Sequence, residues 1–191
     1  MSKNIWFVSD THFGHENFLK FLDENEKLIR PFENVTVMDE YMIHQWNSVV
    51  RSGDRVYHLG DVAFNAKTLP EIMARLPGSK RLMLGNHDEP KEYKLDKYFK
   101  KIRLWRNFKA ENFVCSHIPL REDQMRKVKF NVHGHIHEKK SPSLWHINVC
   151  VETNDYKPYH MDEILGIINK RLAENPGMQA EMETRVGDPK K

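Results

Sequence analysis

Cysteine is scarce: the 191 residues contain two, Cys115 and Cys150, each inside an apolar run. Two thiols build neither a disulfide framework nor a four-thiolate zinc site, so a reducing cytoplasm is the expected home. Long hydrophobic runs are missing as well. No stretch approaches the roughly 18 apolar residues that cross a bilayer, and the start, Met1 to Asn4 followed by Ile-Trp-Phe-Val, lacks the basic segment and long apolar stretch of a secretory leader. The chain is expected to be neither exported by that route nor membrane-spanning. Nor does one sign of charge dominate: 30 Lys and Arg face 27 Asp and Glu, a formal net charge of +3. That is far from the dense basic field of a dedicated nucleic-acid binder, although a local groove stays open to it. Repeats and low-complexity segments are absent. With 39% hydrophobic and 30% charged residues, the composition is that of an ordinary folded protein, and the length favours one domain.

What is abundant is histidine, with eleven residues. Several of these lie where short apolar runs stop. Ile5-Trp-Phe-Val-Ser9 leads into Asp10-Thr-His12, Arg55-Val-Tyr-His-Leu59 into Gly60-Asp61, and Lys80-Arg-Leu-Met-Leu84 into Gly85-Asn-His-Asp88. Asn112-Phe-Val-Cys115 leads into Ser116-His117, and Val128-Lys-Phe-Asn-Val132 into His133-Gly-His-Ile-His137. Aromatic and β-branched runs of this length read as buried strands, each delivering polar groups at one end.

Between them the spacing of Met38, Tyr41, Met42, Trp46, Val49 and Val50 predicts a helix over 37–51, with Thr36 and Asp39 as a capping box and Gly53 as the stop. Shorter helices are expected over 17–29, 67–76 and 91–100. A strand over 144–151 follows, and Met161, Ile164, Leu165, Ile168 and Leu172 predict a closing amphipathic helix ended by Pro176-Gly177. Alternating strands and helices indicate an α/β layered domain over 1–173, with its site beyond the carboxyl ends of the strands. Residues 174–191 read as a flexible C-terminal tail.

In Asp10-x-His12 and His135-x-His137 the paired residues are two apart, so extended backbone would point both members of a pair the same way. Asp10, Asp61, the amide oxygen of Asn86, and His12, His117, His135 and His137 form a donor set without thiolates. It suits divalent transition ions. Two such ions outweigh the two carboxylates, leaving a cationic site that attracts an anionic ester and supports metal-assisted phosphoryl chemistry. His87, beside Asn86 and followed by Asp88, fits the general acid for the leaving oxygen, with Asp88 orienting and charging its imidazole.

These blocks, Asp10-x-His12, Gly60-Asp61, Gly85-Asn-His-Asp88, Ser116-His117 and Gly134-His-x-His137, resemble in order those of the calcineurin-like metallophosphoesterases. The resemblance implies a four-layer αββα sandwich of two mixed sheets and a dinuclear site. It implies Asp10, His12, Asp61 and His137 on one ion and Asp61, Asn86, His117 and His135 on the other, with Asp61 bridging. Mn²⁺ is the first choice of ion, with Fe, Ni and Zn as the others the family uses. Phosphoprotein phosphatases of this family follow Gly-Asp with an acidic residue, Arg and Gly, whereas this chain reads Gly60-Asp-Val-Ala-Phe-Asn65. The missing arginine and the short chain make it similar to the compact bacterial and phage members.

The expected function is therefore hydrolysis of a phosphate ester, a diester first, by attack of metal-bound hydroxide with His87 as acid. A phosphomonoesterase acting on a nucleotide or small molecule, and a non-catalytic interaction scaffold, are the alternatives. A nucleotide or nucleic acid is a possible partner, and the oligomeric state is open. His15 lies in the turn after the first ligands, where it either reaches the substrate phosphate or is a surface turn residue. Arg30 either grips a phosphate bidentately or is a solvated helix-end arginine. His44, His58, His133, His146 and His160 read as structural or solvated. The run from Lys91 to Arg106 interleaves seven cations with Tyr93, Tyr98, Phe99 and Trp105. It reads as a nucleic-acid groove or, more plainly, as an amphipathic helix with a solvated basic face.

Overall fold

A computed structural model describes residues 4–125 and 127–186. Residues 1–3, where the leader was judged absent, and 187–191, the end of the expected tail, lie outside them. The strands are β1 (Ile5–Val8), β2 (Arg55–His58), β3 (Ser79–Met83), β4 (Ile102–Arg103), β5 (Trp105–Phe108), β6 (Phe113–Ser116), β7 (Phe130–His133), β8 (His146–Asn148) and β9 (Tyr159–His160). The helices are α1 (Val35–Val49), α2 (Leu69–Arg75), α3 (Met161–Glu174) and α4 (Pro176–Val186).

Two mixed sheets form, ordered β4-β3-β2-β1-β9 and β5-β6-β7-β8. Strands β1 to β4 run parallel, as do β6 to β8; β9 and β5 are the antiparallel members. Alternation along β1 explains the stacking. Val8 buries toward Met38, Met42 and Trp46 of α1, while Phe7 faces the other way. The Phe7 ring stacks on Tyr57 of β2 and meets Phe108 and Phe113 of the second sheet edge-on. One face of the first sheet is thus covered by α1 and α2 and the other by the second sheet. Helices α3 and α4 add Met161, Ile164, Ile168 and Met178 to that inter-sheet core. This is the α/β architecture of two mixed sheets flanked by helices that the resemblance implies. Among the described residues no helix is long and apolar enough to cross a membrane.

The two sheets meet where their polar ends emerge. Ser9 N–H donates to Val149 and Val151 N–H to Ser9, a parallel bridge between the end of β1 and the chain after β8. All the motif-bearing turns consequently open on one edge of the sandwich.

Several local expectations give way to competing chemistry. Helix α1 starts at Val35, capped by the Asn34 side chain, which accepts from Val37 N–H at 3.0 Å. Asp39 is drawn off to Gly14, whose N–H it accepts at 3.0 and 3.1 Å. The segment 17–29 is no α-helix beyond a single 3-10 turn at Glu16–Lys20. There the Asp23 carboxylate captures the N–H groups of Asn25 and Lys27 and makes a turn. Over 91–100 the left-handed Lys94, at φ 49°, leaves only a 3-10 turn at Leu95–Lys97. The expected tail is helical through Val186, and the Met178 side chain is buried in the core.

Candidate metal centre

Five of the seven expected ligands sit at positive φ: Asp10 (59°), His12 (47°), Asp61 (55°), His135 (71°) and His137 (52°). Left-handed backbone is unfavourable for residues with a Cβ and clusters at functional sites. The Asp10/His12 and His135/His137 pairs therefore converge through sharp turns rather than through the extended backbone expected for them. Neighbouring glycines make room. A Cβ on Gly134 would fall on the Ser9 hydroxyl and the Asp10 carboxylate, and one on Gly85 would fall on the Asp61 carboxylate.

Those turns bring the side chains together. One carboxylate oxygen, Oδ2 of Asp61, lies 3.5 Å from Nε2 of both His12 and His117. Oδ1 of Asp10 lies 3.7 Å from Nε2 of His12 and 3.9 Å from Nε2 of His137. Asn86 Oδ1 and His135 Nδ1 lie 2.8 and 3.2 Å from Nε2 of His117. Two triads of potential donors result, Asp10/His12/His137 and Asp61/His117/His135, with the atoms of each within 4.8 Å of one another. The Asp10 Oδ1 and His12 Nε2 atoms are buried and have no hydrogen-bond partner. Facing orphans of this kind, a carboxylate oxygen and an imidazole nitrogen, are what a cation between them would satisfy.

Surrounding groups fix which atoms point inward. The His117 Nδ1 lies 2.8 Å from the Leu59 carbonyl, so Nδ1–H is donated there and Nε2 faces the cluster. His137 meets Glu152 through Nδ1 at 3.2 Å, which turns Nε2 toward Asp10. The Asp61 carboxylate also accepts the N–H of His87 at 2.9 Å, and Asp10 Oδ2 that of His135 at 2.8 Å.

Electrostatics match this picture. Burial opposes the charge on Asp10, yet its contact with His12 and the fields of His117 and His137 hold it far below the ordinary carboxylate range. Burial keeps His12 and His135 below the usual imidazole value, which favours the neutral form that ligates metals. His137 moves the other way: burial depresses it, but the Glu152 hydrogen bond and charge prevail and raise it.

Two sequence assignments are corrected. Asp88 does not orient the His87 ring; Oδ2 accepts the N–H groups of Asp61 (2.9 Å) and Gly85 (2.8 Å), and Oδ1 that of Val62 (2.9 Å). It shapes the two ligand turns, and burial raises its pKa. Arg30 is neither solvated nor free for phosphate. It is fully buried, with Nε and Nη2 on Glu152 Oε1 at 2.8 and 2.6 Å, Nη1 on the Thr11 carbonyl and Nη2 on the Asp10 carbonyl, and its guanidinium over the Phe18 ring. Glu152, which no motif marks, escaped the sequence reading altogether. Arg30, Glu152 and His137 form a chain of contacts ending at the candidate metal cluster.

His87 stands exposed at the rim, its ring centroid 5.6 Å from that of His12 and 5.3 Å from Phe64. His15 stacks flat on Phe64 at 3.9 Å and is pushed down to about 4 by burial, aided by His12 and Arg30. Both line a cleft of about 570 Å³ over the cluster, whose apolar lining includes Phe18, Phe21, Leu22 and Ile29. His58 lies 2.9 Å from the Thr11 hydroxyl and His146 2.6 Å from the Leu120 carbonyl, which are structural positions.

Comparison with known proteins adds an independent line. Residues 3–176 match the family model described as calcineurin-like phosphoesterase. An uncharacterized protein of Methanocaldococcus jannaschii is 34% identical over 181 residues, 88% of this chain and 93% of that protein. The gene 66 protein of Mycobacterium phage D29 is 25% identical across 87% of this chain and 96% of its own. Among solved structures, a protein of unknown function from Aquifex aeolicus superposes with a TM-score of 0.68 at 28% identity, over 85% of this chain and 98% of that one.

Proposed function

The chain belongs to the calcineurin-like phosphoesterase family, and from that premise we propose that it is a phosphodiesterase using two divalent transition ions, Mn²⁺ first. Metal-dependent phosphoester hydrolysis is the chemistry of the family. The observation that carries the reading is the Asp61 oxygen standing 3.5 Å from an imidazole nitrogen of each candidate cluster, the position of a bridging ligand. Asp10, His12, Asp61 and His137 would hold one ion, and Asp61, Asn86, His117 and His135 the other. When bound, the pair would acidify a water and draw charge off the phosphate oxygens.

The remaining roles belong to the chain. His87, at the mouth of the cleft, donates a proton from its imidazole to the departing oxygen. Asp88 holds the turns of Asp61 and Gly85 in place for it. Two features support a diester. First, among the described residues no guanidinium lines the cleft: Arg30 is used up by Glu152 and the Gly60-Asp61 block lacks the following arginine. A doubly charged monoester would lack the fork that best clamps it. Second, the apolar wall of Phe18, Phe21, Leu22 and Ile29 suits the second esterified group.

The test is a matrix of Mn²⁺, Ni²⁺, Zn²⁺ and Mg²⁺ against a bis-aryl phosphate, an aryl phosphate and cyclic nucleotides. Turnover should be fastest on diesters with Mn²⁺ and vanish with chelator. Faster aryl phosphate hydrolysis with every ion would make the protein a monoesterase instead. Bound metal without turnover on any ester would make it a scaffold.

A further inference from the structure

Away from the metal ligands, five cations converge on one cleft of about 210 Å³ that no acidic side chain lines: Arg55, Arg81, Lys101, Arg103 and Arg106. Strand register gathers them. Tyr57 lies opposite Arg81, and Met83 opposite Arg103, so the odd-numbered residues of β2, β3 and β4 share the face turned toward the second sheet. Near β1 that face carries Phe7 and Tyr57 into the core; toward the β4 edge the same register presents exposed Lys101 and Arg103, and Arg106 joins them from β5.

Among the described residues no ion pair involves any of the five. Arg55 Nε is buried without an acceptor. Arg81 and Arg106 lean instead on the rings of Tyr57 and Phe108, at 5.7 and 5.6 Å. In a molecule whose formal charge is only +3, five cations sharing one wall raise a focused positive field that is uncompensated until an anion enters.

The cleft is also extended. A second hollow of about 600 Å³ shares Arg55, Tyr57, Arg103 and Arg106 with it and continues past Trp105 and Lys109 to Glu111, its one acidic lining residue. Trp105 is 58% exposed, an unusual state for so large an apolar surface. A line of cations beside an uncovered indole is the pairing that grips a phosphate backbone and stacks a base. A duplex hides its base faces, and a mononucleotide would fill only one of the two hollows.

We infer that this groove binds a single strand of nucleic acid, with Arg55, Arg81, Lys101, Arg103 and Arg106 on phosphates and Trp105 against a base. No residue lining the two hollows of the groove lines the cleft over the candidate metal centre. The groove is therefore a docking surface separate from the metal centre.

Fluorescence anisotropy of a labelled, phosphorothioate-linked dodecathymidylate, which resists cleavage, tests this on the full chain. Exchanging the exposed Lys101, Arg103 and Arg106 together for Gln should weaken binding at least tenfold and lower the slope of log K against log salt by about 2. Trp105→Ala should weaken it at least fivefold. Exchanging Lys91, Lys94 and Lys97 together for Gln, on the neighbouring turn, should change it less than twofold. Melting temperature and turnover of a small bis-aryl phosphate should stay near wild type in the triple groove variant, separating the groove from the metal centre. Unchanged binding in that variant, or no binding by the wild-type chain, overturns the inference. So does a silent Trp105→Ala together with full displacement by ATP at equal phosphate concentration, which would mark a phosphate pocket rather than a strand groove. Equal displacement by polyglutamate would reduce the site to bare charge and overturn it as well.

Discussion

The carboxylate of Asp88 holds the backbone of Asp61: Oδ2 receives the Asp61 N–H at 2.9 Å while also taking Gly85 N–H at 2.8 Å. One buried oxygen thus ties together the turns that carry the candidate bridging ligand and Asn86. Asp88→Asn can keep at most part of this, because its amide NH₂ would face an N–H donor and leave a buried group unsatisfied, at about 1–3 kcal/mol. The expected outcome is a lower urea midpoint in chelator and metal affinity reduced about 10- to 100-fold, read by Mn²⁺ titration. Wild-type affinity in this variant would remove the positioning role.

His87 is tested by leaving group. His87→Ala should slow a diester with an alkoxide leaving group about 10²-fold or more, and a nitrophenyl diester less than tenfold, since the latter departs without a proton. Equal losses in kcat for the two substrates would exclude His87 as the acid, whatever the size of the effect.

Arg30 and Glu152 form a buried pair 122 residues apart in sequence, and Glu152 in turn touches His137. Arg30→Met leaves the Glu152 charge buried and the Thr11 and Asp10 carbonyls without donors, so unfolding free energy should fall by about 3–5 kcal/mol. Adding Glu152→Gln should recover part of that loss, whereas a solvated pair would give effects under about 1 kcal/mol and no coupling. Denaturant titration of the two single variants and the double variant decides between them.

Asp39 supplies a pH signature. Burial pushes its carboxyl up to about 6, against the opposing pull of the Gly14 N–H. The folded form therefore holds a proton that the unfolded chain releases near 4. This contribution to stability is complete below about 4 and fades as pH rises through about 6. Asp39→Asn, whose side-chain oxygen still accepts from Gly14, should flatten that stretch of the stability–pH curve. A variant whose curve keeps the wild-type slope between pH 4 and 6 would show that Asp39 is not its source.

The candidate ligand residues are legible because each stands within a few residues of a short apolar run, and five such runs end in the same polar grammar. Longer-range chemistry was hidden. Nothing near Arg30 announces that its partner is Glu152, and nothing near Asp88 shows that backbone amides of Asp61 and Val62 will claim both its oxygens. The helices expected over 17–29 and 91–100 failed for local reasons, the Asp23 turn and the left-handed Lys94, that apolar spacing does not register. The helix after Glu174 was missed because its pattern is weak; Met178 finds its place only once the inter-sheet core exists. Of the cationic groove, Lys101, Arg103, Trp105 and Arg106 lie in the basic aromatic run legible in the sequence, whereas Arg55 and Arg81 join it only through strand register.

The left-handed residues at the strand ends have an evolutionary corollary. Each of these positions would be more comfortable with glycine, so decay of the centre is a downhill path: a duplicate that exchanged the exposed His135 for glycine would gain backbone ease as it lost a donor. Inactive descendants of such a protein should accordingly be sturdier than their working ancestor, and durability alone would be a poor sign that a relative still performs chemistry.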